Sequence, residues 1–111
     1  MEIAEQHAGE ITIVEIKGRI DSNTAKAFGE RLTDLIKAGR TRLVVDLKHI
    51  IYISSAGFRA LLVAERLAEE TKGTLALCSM SAEVQRLFDL GSFTDLFAIY
   101  PSREEGVIKL S

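Results

Sequence analysis

The stretch that decides the fold is LVVDLKHIIYISSAGFRALL, residues 43–62. Its first half is an apolar run rich in β-branched residues, which is typical of a central strand covered on both faces. The second half begins with a serine-rich turn, after which Phe58, Leu61 and Leu62 recur with helical spacing. The stretch therefore predicts a buried strand, a short turn and an amphipathic helix.

Towards the amino terminus, two strands and a helix are predicted before this stretch. Glu2–His7 and the β-rich run ITIVEIKG, which starts at Ile11, have strand-like composition. The dipeptide Ala8-Gly9 between them predicts a hairpin. From Thr24 the apolar residues follow a helical period, and Gly39 is expected to end that helix in a left-handed conformation.

Towards the carboxyl terminus, the same alternation continues. Gly73 is expected to end the helix that begins after Gly57, and a buried strand is predicted at Thr74–Cys78. Ser81 is the expected cap of a third helix, Phe97–Tyr100 a last strand, and Ser102 the cap of a short final helix. The element order β-β-α-β-α-β-α-β-α predicts an α/β fold with a mixed four- to five-stranded sheet and about four helices.

Composition limits the class of protein. At 111 residues the chain is expected to form a single domain over 1–111, and its net charge of −2 comes without any basic stripe. Nucleic acid and membrane surfaces are therefore poor candidate partners. The apolar runs fall far short of the roughly 20 residues of a membrane span. With one cysteine, Cys78, and no basic leader after Met1, we expect a cytoplasmic protein.

Motifs for catalysis or cofactor binding are scarce. His7 and His49 do not lie at metal-ligand spacing with Cys78, so no metal site is expected. The chain contains neither the phosphate-binding loop G-x-x-x-x-G-K-[ST] nor the dinucleotide-binding motif G-x-G-x-x-G, and no cofactor is expected. Ser55 precedes a helix as a hydrolase nucleophile does, but Ile53 stands where the G-x-S-x-G motif requires glycine, and no general base accompanies it. The sequence therefore favours a protein without catalytic residues, with a small serine hydrolase as a remote alternative.

The two serines before the second helix are the remaining candidates. A serine in this position ordinarily caps the helix by accepting a hydrogen bond from a free backbone N–H. One cap suffices, however, and two adjacent serines are present. Gly57 in the first turn costs about 0.5–1 kcal/mol relative to alanine. We therefore expect Ala56 and Gly57 to leave the turn bare, so that a partner can approach its backbone closely.

Three motifs carry a family resemblance that spans nearly the whole chain in order. They are the segment from Asp46 to Leu62 with ISSAGFR at its centre, the turn GRID at 18–21 followed by Thr24-Ala25, and SAEVQRLFDL at 81–90. Together they resemble the signature of STAS domains, specifically the stand-alone bacterial anti-sigma factor antagonists. Such a protein binds an anti-sigma factor that is also a serine kinase and thereby frees a sigma factor. Phosphorylation by that kinase separates the pair, and a serine phosphatase resets it.

The resemblance also implies which residues act. The phosphoacceptor of the family lies two residues before the conserved glycine, which makes it Ser55. Many members have Asp one residue earlier, where this chain has Ser54. Asp21 corresponds to an exposed family residue that contacts the partner, although a turn-forming role is equally compatible with its position. The implied partner-binding residues are Asp21, Ser22, Asn23, Thr24, Ser54, Ser55, Ala56, Gly57 and Arg59.

Other members of the family leave an alternative open. STAS domains also occur as subunits of stressosome-like and lipid-transport complexes, where a partner is bound without sigma-factor control. A missing response to phosphorylation would favour that alternative. Under either interpretation we expect a monomer or a weak dimer. The expected partner is an anti-sigma factor kinase or another protein, and binding to nucleic acid or to a membrane is not expected.

Overall fold

The computed structural model describes all 111 residues, Met1–Ser111. It contains five strands and four α-helices in the predicted order. The elements are β1 (Glu2–Ala8), β2 (Ile11–Ile20), α1 (Ala25–Lys37), β3 (Arg42–Ile53), α2 (Ser55–Glu70), β4 (Thr74–Cys78), α3 (Ala82–Leu90), β5 (Ala98–Tyr100) and α4 (Arg103–Leu110). A short 3₁₀ turn at Thr94–Leu96 precedes β5. The predicted α/β class and mixed sheet are confirmed. No helix is both long enough and apolar enough to cross a bilayer.

The strands form one sheet in the sequential order β1-β2-β3-β4-β5. β1 and β2 are an antiparallel hairpin, with Gly9 at a φ of +63° in the turn between them. All the other neighbours are parallel because a helix connects each pair. The residues Ile50–Ile53 continue β3, although the sequence left open a separate stretch there. Two register shifts in the β2–β3 pairing accommodate this long strand.

The two faces of the sheet are covered unequally. Helices α1, α2 and α3 pack on one face, where Phe28, Leu61 and Phe88 are fully buried in the main core. Helix α4 packs on the other face over a smaller cluster that contains Ile13, Val44 and Leu110. The two faces are unequal because every crossover helix between β2 and β5 lies on the same side of the sheet. Only the chain beyond β5 remains to cover the opposite side.

The predicted helix ends are correct at Gly39 and need correction at Gly73. Gly39 has a φ of +95°, as expected for a residue that ends a helix in the left-handed region. After α2 the left-handed residue is Lys72, with a φ of +61°. Gly73 is required for a different reason, because a Cβ there would lie 2.2 Å from the carbonyl oxygen of Thr41.

A cluster of charges ties α4 to the sheet. Arg103 donates through Nε to Asp46 Oδ2 at 2.9 Å and through its terminal nitrogens to Glu15 and to Gln6. Asp46 is only 3 % exposed, and its other oxygen accepts from the backbone N–H of Lys48. Although burial opposes the charge of Arg103, hydrogen bonds to Asp46 and Glu15 raise the pKa of its guanidinium. One side chain thus bridges α4 to three strands.

We expect Arg103→Gln to lower the free energy of unfolding by about 3 kcal/mol, because it leaves the buried carboxylate of Asp46 without its cation. Urea denaturation at neutral pH measures the loss. Arg66→Gln, on an exposed position of α2, removes the same charge and should change stability by less than about 0.5 kcal/mol. Equal losses in the two variants would contradict the bridging role of Arg103.

Glu65, on α2, carries a carboxyl group that is partly buried. Burial raises its pKa to about 7, and the neighbouring charge of Glu69 adds to the effect. Because the folded-state pKa lies above the unfolded value, the folded chain holds a proton that the unfolded chain releases. Stability therefore falls as the pH rises from about 4.5 to about 7.

Glu65→Gln should remove this pH-dependent loss, because glutamine keeps the shape of the side chain without its charge. The variant is expected to melt at a higher temperature than the parent above pH 7 and at nearly the same temperature at pH 4.5. Thermal unfolding followed by circular dichroism at both pH values measures the difference. Glu70→Gln, at an exposed position, is the control, and a shift that is the same at both pH values would be the contrary result.

Candidate functional site

Two turns lie side by side at the carboxyl ends of β2 and β3. We call Asp21–Thr24, which connects β2 to α1, the Asp21 turn. We call Ser54–Gly57, which comprises the N-cap and the first residues of α2 directly after β3, the Ser55 turn. They are adjacent because Ile20 pairs with Ile53 in the parallel ladder. The backbone N–H of Ser54 extends that pairing by donating to the carbonyl of Ile20 at 2.8 Å. The structure therefore brings together residues about 30 positions apart in the sequence.

The two serines of the Ser55 turn have different surroundings. Ser54 is the N-cap of α2, with extended backbone, and its hydroxyl accepts from the N–H of Gly57 at 3.3 Å. Ser55 is the first residue of the helix and is exposed. The capping role that the sequence predicts is thus confirmed for Ser54. The hydroxyl of Ser55 is left accessible beside the free N–H groups of the first helical turn.

Gly57 does not have the exposed position that we expected for it. It is buried, and a Cβ there would lie 2.7 Å from Cγ2 of Ile20 and 2.7 Å from Cγ1 of Ile53. Its missing side chain therefore lets α2 approach the ends of β2 and β3. Close packing inside the chain explains this glycine, where the sequence pointed to a partner's backbone.

The Asp21 turn is built around the side chain of its first residue. Asp21 Oδ1 accepts from the backbone N–H of Asn23 at 2.9 Å and from that of Thr24 at 3.2 Å. In return, the hydroxyl of Thr24 accepts from the N–H of Asp21 at 2.9 Å. The bond from Asn23, with further hydrogen bonds from Thr24, lowers the pKa of Asp21. Asp21 is thus a turn-forming carboxylate that stays charged, and its Oδ2 lies 3.9 Å from Nε of Arg19.

Arg59 and Ala56 occupy different environments on α2. Arg59 is exposed and lines a shallow groove between α1 and α2, together with Gly29 and Ala60. Ala56 is partly buried and packs against the main core. Ser22 and Asn23 are both exposed on the Asp21 turn. The surface around Ser55 is therefore formed by the two turns and the exposed start of α2.

Sequence reasoning missed three residues that flank this surface. Arg19 lies over the ring of Tyr52, 4.5 Å from its centroid, and its Nε is 3.9 Å from Asp21 Oδ2. Ile51 is 63 % exposed and lies next to one of the register shifts of β3. Arg19 and Tyr52 meet because they are partners in the β2–β3 register. That register cannot be derived from a single amino-acid sequence.

A polar cavity of about 630 Å³ lies elsewhere, beside the amino terminus of α4. Its lining includes Asp46, His49, Ser79 and Arg103. Within it, the guanidinium of Arg103 already pairs with the carboxylates of Asp46 and Glu15. No group of three or more His, Cys, Asp or Glu side chains is arranged to hold a metal ion. The cavity therefore shows no ligand set for a metal, and Ser55 does not line it.

Comparison with known proteins identifies relatives along almost the full length. The model of the STAS domain family matches residues 2–106. BtrV of Bordetella bronchiseptica, named as a candidate anti-sigma factor antagonist, is 32 % identical over 89 residues, which are 80 % of this chain and 77 % of that protein. The anti-sigma-B factor antagonist of Bacillus subtilis is 31 % identical over 94 residues, 85 % of each chain.

Solved structures share the fold. A candidate anti-sigma factor antagonist from Thermotoga maritima superimposes with a TM-score of 0.91 at 16 % identity, over 97 % of this chain and 93 % of that one. The Bacillus cell fate determinant SpoIIAA in its phosphorylated form gives a TM-score of 0.74 at 15 % identity, over 99 % of this chain and 100 % of that one. At these identities the similarity is one of architecture.

We expect Gly57→Ala to destabilise the fold by about 1–3 kcal/mol, the usual cost of overpacking, despite the better helix propensity of alanine. Denaturant unfolding measures it. Gly29→Ala is the matched control, since its Cβ would lie 3.1 Å from Cβ of Ala60 and not within 3 Å of any atom. A stable Gly57→Ala variant that unfolds like the parent would show that α2 does not depend on this close approach.

Proposed function

The chain belongs to the STAS domain family, as a relative of anti-sigma factor antagonists, and we propose that it binds an anti-sigma factor through the Ser55 turn. The anti-sigma factor would also be a serine kinase, and binding would release a sigma factor. Phosphorylation of Ser55 would end the interaction, and a serine phosphatase would restore it. The cytoplasm is the compartment where these partners would meet.

The observation that carries this proposal is the position of Ser55. Its side chain is exposed at the first position of α2, while Ser54 satisfies the capping requirement in its place. A kinase can therefore reach the Ser55 hydroxyl without breaking a hydrogen bond that the helix needs. The neighbouring Asp21 turn, with Ser22 and Asn23 exposed, supplies a second contact region on the same surface.

Electrostatics support a switch that acts at the surface. A phosphate on Ser55 would add about −1.5 to −2 charges. The free N–H groups and the dipole at the amino terminus of α2 favour an anion, so the domain itself can accept the phosphate without refolding. The Asp21 carboxylate, whose pKa is lowered by the N–H of Asn23, lies on the same surface. Phosphorylation would thus add a second anion beside Asp21 on a surface whose only cations are Arg19 and Arg59.

Dissociation then follows from the cost of burying that charge. A contact surface that fits an uncharged serine has no cation placed to pair with a phosphate, and a buried unpaired charge is strongly unfavourable. In this mechanism Ser55 is the residue that another protein modifies, and no residue of this chain acts as a catalyst.

The test is capture from a native lysate of the source organism with the parent chain, Ser55→Ala and Ser55→Asp as baits. An ATP-binding kinase is expected on the first two baits and not on the third. The kinase, once identified and purified, should bind Ser55→Ala within about threefold of the parent and Ser55→Asp about 100-fold more weakly, the equivalent of about 2.7 kcal/mol.

Ser81→Asp is the control, because it places the same charge at the start of another helix, α3, whose N-cap is Ser81. It should bind like the parent. Mass spectrometry after incubation with the kinase and ATP should place one phosphate on Ser55 and none on the Ser55→Ala chain. Phosphate on Ser54 or on a residue outside the turn would remove Ser55 from this role, and undiminished binding by Ser55→Asp would refute the electrostatic switch.

A further inference from the structure

The open edge of the sheet at β1 has the features of an interaction surface. β1 pairs with β2 over all seven of its residues without a register shift, and no strand lies on its other side. Alternate backbone N–H and C=O groups along that outer side therefore lack a strand partner. The opposite edge, β5, has only three residues, so it offers far less backbone for pairing.

Edge strands usually carry features that prevent pairing with another chain, and β1 has few of them. Proline, charged side chains (lysine above all), an inward-pointing charge, a bulge or a covering helix are the common ones, and of these β1 carries only the carboxylates of Glu2 and Glu5. β1 contains neither proline nor lysine, and its ladder is regular. Ala4, Gln6 and Ala8 are exposed and uncharged. The strand is thus long, regular and accessible.

The two faces of β1 are distinguished by their side-chain contacts. Ile3 packs against the main core, and Glu5 accepts from Nε of Arg31 on α1 at 2.6 Å. Glu2, Ala4 and Gln6 alternate with these residues and so lie on the face covered by α4. Gln6 confirms this, since its Oε1 accepts from Arg103 at 3.2 Å. Its amide nitrogen therefore has donors left for another acceptor.

We propose that β1 pairs with β1 of a second copy of this chain, antiparallel about a two-fold axis at Ala4, to form a weak dimer with a continuous sheet. In this register Ala4 faces its own counterpart, Ile3 faces Glu5, and Glu2 faces Gln6. No two like charges are directly opposite. The carboxylate of Glu2 meets the free amide donors of Gln6, and symmetry repeats this contact twice.

The register centred on the next residue, Glu5, is less favourable than the register centred on Ala4. A two-fold axis at Glu5 would place two carboxylates directly opposite each other, which is unfavourable. A single strand buries less surface than a standard stable interface does, so the dimer forms only at high protein concentration. Because the paired strands are antiparallel, the two Ser55 turns point to opposite ends of the dimer, and both stay open to partners.

Sedimentation velocity from about 10 μM to about 1 mM protein tests the pairing. The parent chain should show a rising dimer fraction with concentration. Ala4→Lys places two cations opposite each other at the axis and should abolish the dimer. Ala82→Lys adds the same charge at an exposed position of α3 and should leave the dimer intact. A parent chain that stays monomeric throughout, or a dimer that survives Ala4→Lys, overturns the proposal.

An exchange of side chains tests the register. Gln6→Glu sets two carboxylates against each other twice and should weaken the dimer about tenfold, while its carboxylate can still accept from Arg103. The double variant Glu2→Gln/Gln6→Glu restores an amide opposite a carboxylate, at unchanged net charge, and should return the dissociation constant to within about threefold of the parent. Failure of the double variant to recover overturns the register centred on Ala4.

Discussion

The close approach of α2 to the ends of β2 and β3 is the constraint on which the proposed partner-binding surface depends. Gly57 allows it, because a Cβ at this position would collide with both Ile20 and Ile53. The same two isoleucines pair across the ladder and place the Asp21 turn beside the Ser55 turn. One glycine in the core therefore sets the position of the exposed serine at the start of the helix.

The division of labour between Ser54 and Ser55 follows from this geometry. With α2 held against the strand ends, Ser54 is the residue whose backbone is extended and whose hydroxyl reaches the N–H of Gly57. Ser55 then falls within the helix and points outward. The proposed phosphorylation of Ser55 is compatible with this separation, because Ser54 and not Ser55 provides the cap.

The second face of the sheet is organised by charge as well as by apolar contact. Helix α4 is only eight residues long, and an isolated helix of that length is not stable in water. Arg103 at its start connects it to Asp46 and Glu15 on two central strands and to Gln6 on the edge strand. β1 itself has a neighbouring strand on one side only, and its outer edge remains open.

The sequence by itself determined the class, the order of elements and the helix caps, because these follow from local periodicity and from short-range hydrogen bonds. Ser54, Ser81 and Ser102 each cap the helix that the sequence predicted after them. The motifs around Ser55 also identified the family. The roles of Gly57, Gly73 and Arg103 were decided only in the tertiary structure. Each depends on atoms from elements distant in sequence, namely the isoleucines on two strands, the contact of Gly73 with Thr41, and the carboxylates 57 and 88 residues before Arg103. Such contacts depend on strand register and helix packing, which no local pattern encodes.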